Sequence, residues 1–411
     1  MRRGALGMAT AALSTLLVAS GLTASPAAAG TTYTMPASGP VTLTGHGYGH
    51  GHGLSQYGAY GAALAGKTWQ EITAFYYPGT SQAKVSRWVR VHISADTSPD
   101  VVVAPRDGLT VIDTGANVVR AVPANGADRW RLVVATGNKT GVDYRLGGVW
   151  KRWWTFSADG AFYAGGQPLR LYYAGTSHLF RGRLTAARPS ATSTDRDTVN
   201  RLNLENYLRG VVPAEMPTSW EPDAVASQAV AARSYAAWDL STPSSTVTHY
   251  DICDTTSCQV YGGYDREATG GNAAIDATRG IILTHNGTPA FTQFSSSSGG
   301  WTSAGSVPYL PAKQDPYDGW KRADGSYVNP NHKWSVAIDV ARLESTWKIG
   351  DLASIEVLSR DGNGDWGGRI QKLRLIGRGG KIVTVYGSDF RMKLGLKSTY
   401  FTFAGVPTKT T

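Results

Sequence analysis

The segment that most restricts the fold runs from Leu202 to Ala237. Leu204, Tyr207, Leu208, Val211 and Val212 recur at helical spacing, and the stretch from Pro213 to Pro217 is expected to break that helix. A second helix should begin near Pro222, because proline is tolerated in a first turn, where its missing N–H has no intrahelical partner to lose. It carries Ala224, Ala226, Ala229, Ala231, Ala232, Ala236 and Ala237. Such small side chains let a neighbouring element approach closely.

The flanking sequence reads differently. Residues 85 to 184 contain short alternating runs such as Val101-Val-Val-Ala, Trp130-Arg-Leu-Val-Val and Pro168-Leu-Arg-Leu-Tyr, separated by turns rich in Gly, Asn and Asp. Upstream, Ala62, Ala63, Leu64, Trp69, Ile72 and Phe75 follow a helical pattern that Tyr76-Tyr-Pro-Gly79 stops. Downstream, Gly280–Thr284 and Pro289–Phe294 read as strands paired across the turn His285-Asn-Gly-Thr288. The tail from Leu352 to Phe403 mixes strands with a short helix near Phe390–Lys393. The class is α+β. The expected division is a leader over 1–29, a Gly/His-rich segment over 30–84, and a domain over 85–411 with a β-rich part (85–198) and a helical part (199–411).

The leader reading rests on Arg2 and Arg3, an apolar run from about Ala5 to Ala24, and Ala27-Ala28-Ala29 before Gly30, the plan of a secretory signal peptide cleaved near Ala29. The residues that usually surround a twin-arginine pair are missing, which favours the ordinary secretory route. No later run is long and apolar enough to span a bilayer. The expected location is therefore outside the cytoplasm, released or held in the wall. Lys and Arg total 40 against 30 Asp and Glu, scattered as singlets such as Arg87, Arg90, Arg106, Lys151 and Arg152. That field suits an anionic polymer surface, and the absence of a basic helix or a recognition signature argues against nucleic acid.

Six groups of residues bear on chemistry. Glu215 sits among Val211, Val212, Pro213, Met216, Pro217 and Trp220; such a sleeve raises a carboxyl pKa, as an acid catalyst of glycoside cleavage requires. A surface acid or a helix cap is the alternative. Arg233, on the alanine-rich helix, can hold a substrate oxygen, fix Glu215, or form a structural ion pair. His249, Cys253 and Cys258 offer zinc two thiolates and an imidazole, without an obvious fourth ligand; in an exported protein a Cys253–Cys258 disulfide is the commoner outcome. His46, His50 and His52 alternate with glycines, a pattern of tight turns or a polar binding lip more often than of a metal site. Ser295-Ser-Ser-Ser-Gly-Gly300, followed by Trp301, offers hydroxyls and bare amides to a sugar and lacks the elbow of a serine nucleophile. Asp361-Gly-Asn-Gly-Asp365 begins like a calcium loop but lacks its closing glutamate, so it reads as a hairpin turn.

The run from Leu202 through Gly210-Val-Val-Pro-Ala-Glu-Met-Pro217 to Trp220, continued by Ala226-Ser-Gln-Ala-Val-Ala-Ala-Arg-Ser-Tyr-Ala236, resembles the signature of the SpoIID/LytB family. Cys253-Asp-Thr-Thr-Ser-Cys-Gln-Val-Tyr261, Phe294–Trp301, Pro308-Tyr-Leu with Asp315-Pro316, and Phe390-Arg to Leu394-Gly-Leu-Lys-Ser398 add to the likeness. The resemblance implies a SpoIID-like fold and lytic transglycosylase activity on peptidoglycan glycan strands, or stimulation of a wall amidase as in the LytB branch. It places the family's glutamate on Glu215 and its arginine on Arg233. With them go a glycan-binding set of Tyr235, Gln259, Ser296, Ser297, Ser298 and Gly299, and His50, Ser55 and Gln56 from the Gly/His-rich run. No cofactor is implied as a requirement. A structural zinc is the exception some relatives suggest, and Ser257 stands here where many have histidine.

One departure concerns order. The family's Gly-His-Gly-x-Gly-Met-Ser-Gln element normally follows Leu-Gly-Leu-Lys-Ser, whereas Gly49-His-Gly-His-Gly-Leu-Ser-Gln-Tyr-Gly58 stands near the start. This implies a circular permutation, which requires residues 41–80 to pack beside the terminal strand around Tyr400–Phe403, with the chain ends close together.

Overall fold

A computed structural model of the chain describes residues 30–243 and 246–410. The leader read over residues 1–29 lies outside the described residues. The helices are α1 (Gln56–Leu64), α2 (Trp69–Tyr76), α3 (Leu204–Glu215), α4 (Pro222–Ser241), α5 (Thr269–Ala277), α6 (Val340–Trp347) and α7 (Gly387–Leu394). They combine with several β-sheets into an α+β fold. No helix among the described residues is long and apolar enough to cross a membrane.

α4 is the axis of the molecule. Its alanines are all buried, and α1, α2, α3 and α5 all pack against it, the crowding its small side chains permit. Asp223 in its first turn accepts the Trp69 N–H at 2.8 Å, which ties the start of α2 to the start of α4. The first apolar core joins α3, α4 and α5 to the two large sheets of the β-rich part through residues such as Val91, Trp130, Phe162, Leu202, Tyr207 and Ile275. A second lies under α1 and α2, and a third is formed by the tail with Tyr33, Met35, Val41 and Leu43.

The packing that permuted order requires is present. Pro40–His46 pairs antiparallel with Phe401–Ala404 and, on its other edge, with Lys333–Asp339. Thr31–Thr34 pairs with Thr408–Thr410, so the two described ends are adjacent strands of one sheet.

Local expectations need three corrections. The helical pattern over residues 56–76 is two helices, interrupted by Gly66 at φ +77° and restarted by the Thr68–Glu71 capping box. Pro213 does not end α3: it sits in the last turn, and the chain leaves the helix only after Glu215. Pro289–Phe294 is not one strand. Only Thr288–Pro289 pairs back on Ile281–His285, while Phe294–Ser295 pairs in parallel with Leu54–Ser55, which draws the serine-rich loop onto the Gly/His-rich segment.

Candidate functional site

Glu215 is the last residue of α3. Helix carbonyls left unpaired at that end create a partial negative charge that disfavours a carboxylate there. Val211, Val212 and Met216 are buried beside it. Burial raises the Glu215 pKa above the ordinary carboxyl range, offset in part by the Val260 N–H, which donates to Oε1 at 2.8 Å. No carboxylate among the described residues contributes to the shift.

Val260 contributes only a backbone N–H, so no side-chain signal marks it in the sequence. Its position is fixed by the residues before it. Cys253 and Cys258 are joined as a disulfide. Gln259 is buried, donating to the Ala232 carbonyl at 3.3 Å and accepting from the Tyr207 hydroxyl at 3.2 Å. Gln259 is thus a positioning residue rather than the glycan contact expected of it. The disulfide takes both sulfurs out of any thiolate set, and His249 turns to Asp197 at 2.6 Å. The residues present do not fit a zinc site, and among the described residues no three His, Cys, Asp or Glu side chains converge on one point. Closing so short a loop stabilises by about 2 kcal/mol on chain entropy. Reduction should lower the melting temperature by several degrees and expose two titratable thiols, against none before reduction.

Arg233 also departs from expectation. It is fully buried, makes a two-point ion pair with Glu205 (2.8 and 3.0 Å), and donates to Thr278 Oγ1 and the carbonyls of Ile275 and Ile281. None of these is Glu215, and a side chain with no exposed surface does not meet a polymer. Tyr235 is half-buried against Trp238 and Phe291, and burial pushes its hydroxyl up to about 12.

The Gly/His-rich segment does reach the site. Gln56 Nε2 donates to the Glu215 carbonyl at 3.0 Å and lies 3.3 Å from Gln228 Oε1, so α1 clamps the end of α3. The next residues bring aromatic rings: Tyr60 stacks on Trp220 at 4.5 Å with planes 7° apart, and Tyr57 tilts against the same indole at 4.8 Å. Tyr57 and Tyr60 carry no pattern in the sequence that singles them out; only the fold brings them to Trp220. His50 is exposed, its Nδ1 accepting the His52 N–H at 2.9 Å.

Ser55, Ser297 and Ser298 face inward. Asp318 is fully buried and accepts from Ser55 Oγ (2.8 Å), Ser297 Oγ (2.9 Å), the Ser298 N–H (2.9 Å) and Asn329 Nδ2 (3.0 Å). Ser298 Oγ donates to Asp315, as does the Tyr76 hydroxyl. These hydroxyls satisfy buried carboxylates and are unavailable to a sugar, which corrects the reading of Ser55, Ser297 and Ser298 as glycan contacts. Gly299 is buried at φ +72°, where a Cβ would lie 2.5 Å from the Gly47 nitrogen; it permits this loop to touch the Gly/His-rich loop. Ser296 is half-buried, and its carbonyl accepts the Tyr57 N–H at 3.0 Å.

Burial, with the Asp318 carboxylate nearby, pushes Asp315 up to about 7. The folded state therefore holds a proton that the unfolded chain has released above its ordinary value, so this contribution to stability is present at low pH and lost as pH rises through about 7. The melting temperature should fall between pH 5.5 and 8, and Asp315→Asn should flatten that slope in calorimetry.

The family match falls on the Glu215 side of this arrangement. Residues 192–285 match the family described as SpoIID, Stage II sporulation protein. Over 186 residues the chain is 41% identical to a Bacillus subtilis (strain 168) protein named amidase enhancer, covering 38% of this chain and 25% of that one. It is 30% identical over 230 residues to stage II sporulation protein D of the same organism, and 28% identical over 232 residues to the protein of that name from Bacillus amyloliquefaciens; each alignment covers 51% of this chain and 62% of the relative. The chain thus spans between a quarter and about three-fifths of the length of these relatives. The matched stretch contains α3 with Glu215, α4, the disulfide and Val260, the parts that build the carboxyl's surroundings, and in it the chain carries a SpoIID family domain.

Proposed function

We propose that the chain is a secreted lytic transglycosylase of peptidoglycan glycan strands, with Glu215 as its acid and base. The observation that carries this reading is the Glu215 carboxyl itself, its pKa raised by burial with no other carboxylate among the causes of that shift. A hydrolase ordinarily sets two carboxyl groups across the scissile bond, one of them to activate water. A lone group suffices if the nucleophile belongs to the substrate. Protonated Glu215 donates to the glycosidic oxygen between N-acetylmuramic acid and N-acetylglucosamine, and the C1–O bond breaks. The resulting carboxylate then takes the proton of the muramoyl 6-hydroxyl as O6 bonds to C1. No water is consumed, and Glu215 ends protonated as it began.

The 41% identity to a protein named amidase enhancer supports a second reading, in which the chain binds the wall and stimulates a separate amidase. Mass spectrometry of purified glycan strands incubated with the protein separates the two. Terminal 1,6-anhydro sugars are expected on the first reading. Their absence, together with faster release of stem peptides when a wall amidase is added, favours the second.

A further inference from the structure

On the face formed by the tail, two adjoining depressions of about 340 and 450 Å³ share His46, Lys333 and Asp365 in their walls. Their floor is aromatic. The His46 imidazole stacks on Trp366 at 4.8 Å with planes 26° apart and tilts against Tyr400 at 5.0 Å. It is locked by Asp365 on Nε2 (3.1 Å) and by the His332 carbonyl on Nδ1 (3.0 Å). His332 in turn has its Nδ1 engaged by buried Asp318 at 2.9 Å, so its other ring nitrogen is the one left for the cavity it lines.

Trp366 is the telling residue. It is 40% exposed, and its backbone lies in the left-handed region (φ +58°, ψ +14°), where a bulky residue is rare. A large apolar ring held at the surface in a strained conformation, at the mouth of a groove, is the pattern of a binding residue retained against local preference. Beside it stand a cation, Lys333, and an anion, Asp365. An adjacent donor and acceptor over an aromatic platform match a sugar, whose C–H face is apolar and whose neighbouring hydroxyls both give and accept hydrogen bonds. Mixed charge at this spot fits a neutral hexosamine better than a phosphate or a nucleic acid.

We propose that this groove is a second saccharide site, separate from Glu215, which grips a hexosamine strand through Trp366, with Lys333 and Asp365 contacting its hydroxyls. The choice of sugar rests on the wall-glycan reading above; the groove itself does not involve the Glu215 carboxyl. Calorimetric titration of the protein with an N-acetylglucosamine hexamer is the test, with a maltohexaose control. Trp366→Ala should weaken hexamer binding roughly tenfold. Trp366→Gly should bind as weakly as the alanine variant while melting no lower than the parent, because glycine accepts the left-handed backbone without strain. Parental affinity in both Trp366 variants, or no hexamer binding by the parent protein, overturns the proposal. Product formation reports on Glu215 independently, so parent-rate product from Glu215→Gln combined with lost binding in Trp366→Ala would sink the catalytic reading and leave the groove standing.

Discussion

Glu215→Gln is expected to lower the yield of 1,6-anhydro sugars from purified glycan by about 10²- to 10⁴-fold, the range for loss of a positioned general acid and base. The substitution is a narrow one. Glutamine keeps an oxygen to accept the Val260 N–H and adds no volume, and it removes the one group able to give and take the proton. It also removes a charge that burial and the end of α3 both disfavour, so the variant should melt at or above the parent temperature. A fall in activity without a fall in stability is therefore the signature to look for. The pH profile gives a second check. Because burial raises the Glu215 pKa, the protonated form persists above the ordinary carboxyl value of about 4.3, and the rate should fall as pH rises through the shifted value. Folded Glu215→Gln that releases anhydro sugars at the parent rate would remove Glu215 from the chemistry.

Much of this site was legible because helices announce themselves over short stretches. The apolar spacing of Leu204 to Val212 and the alanines of α4 announce two helices, and both form, the first running on through Pro213 to end at Glu215. The partners of Glu215 were only half visible. Gln56 came forward through a motif, and the structure gives it a role, holding the Glu215 carbonyl. Val260 could not be found, because a backbone N–H leaves no trace in residue identity. The serine-rich loop misled for a physical reason: a hydroxyl serves a sugar and a buried carboxylate equally well, and only the fold shows that Asp315 and Asp318 lie behind it. Trp366 was hidden in a turn whose glycines and aspartates drew attention to metal chemistry and away from the ring between them.

Arg233 poses the same ambiguity in its sharpest form, since sequence leaves a cationic side chain free to face either substrate or core. Its burial predicts that Arg233→Met will destabilise the protein by about 3–5 kcal/mol, a drop in melting temperature on the order of 10 °C for a chain of this size. Methionine fills most of the volume but leaves Glu205 partly buried without its cation, and the carbonyls of Ile275 and Ile281 without a donor. Adding Glu205→Met should recover part of the loss, because removing both charges costs less than stranding one. Recovery should stay incomplete, since the Gly280 N–H loses its acceptor on Glu205. Arg233→Lys should fall between parent and methionine, retaining the charge without the planar fork that meets both Glu205 oxygens. Activity per folded molecule decides what Arg233 does. If it only ties α4 to the start of α3 and the end of α5, variants assayed well below their melting temperatures should keep near-parent rates. A variant that melts like the parent yet no longer releases anhydro sugars would place Arg233 at the glycan instead.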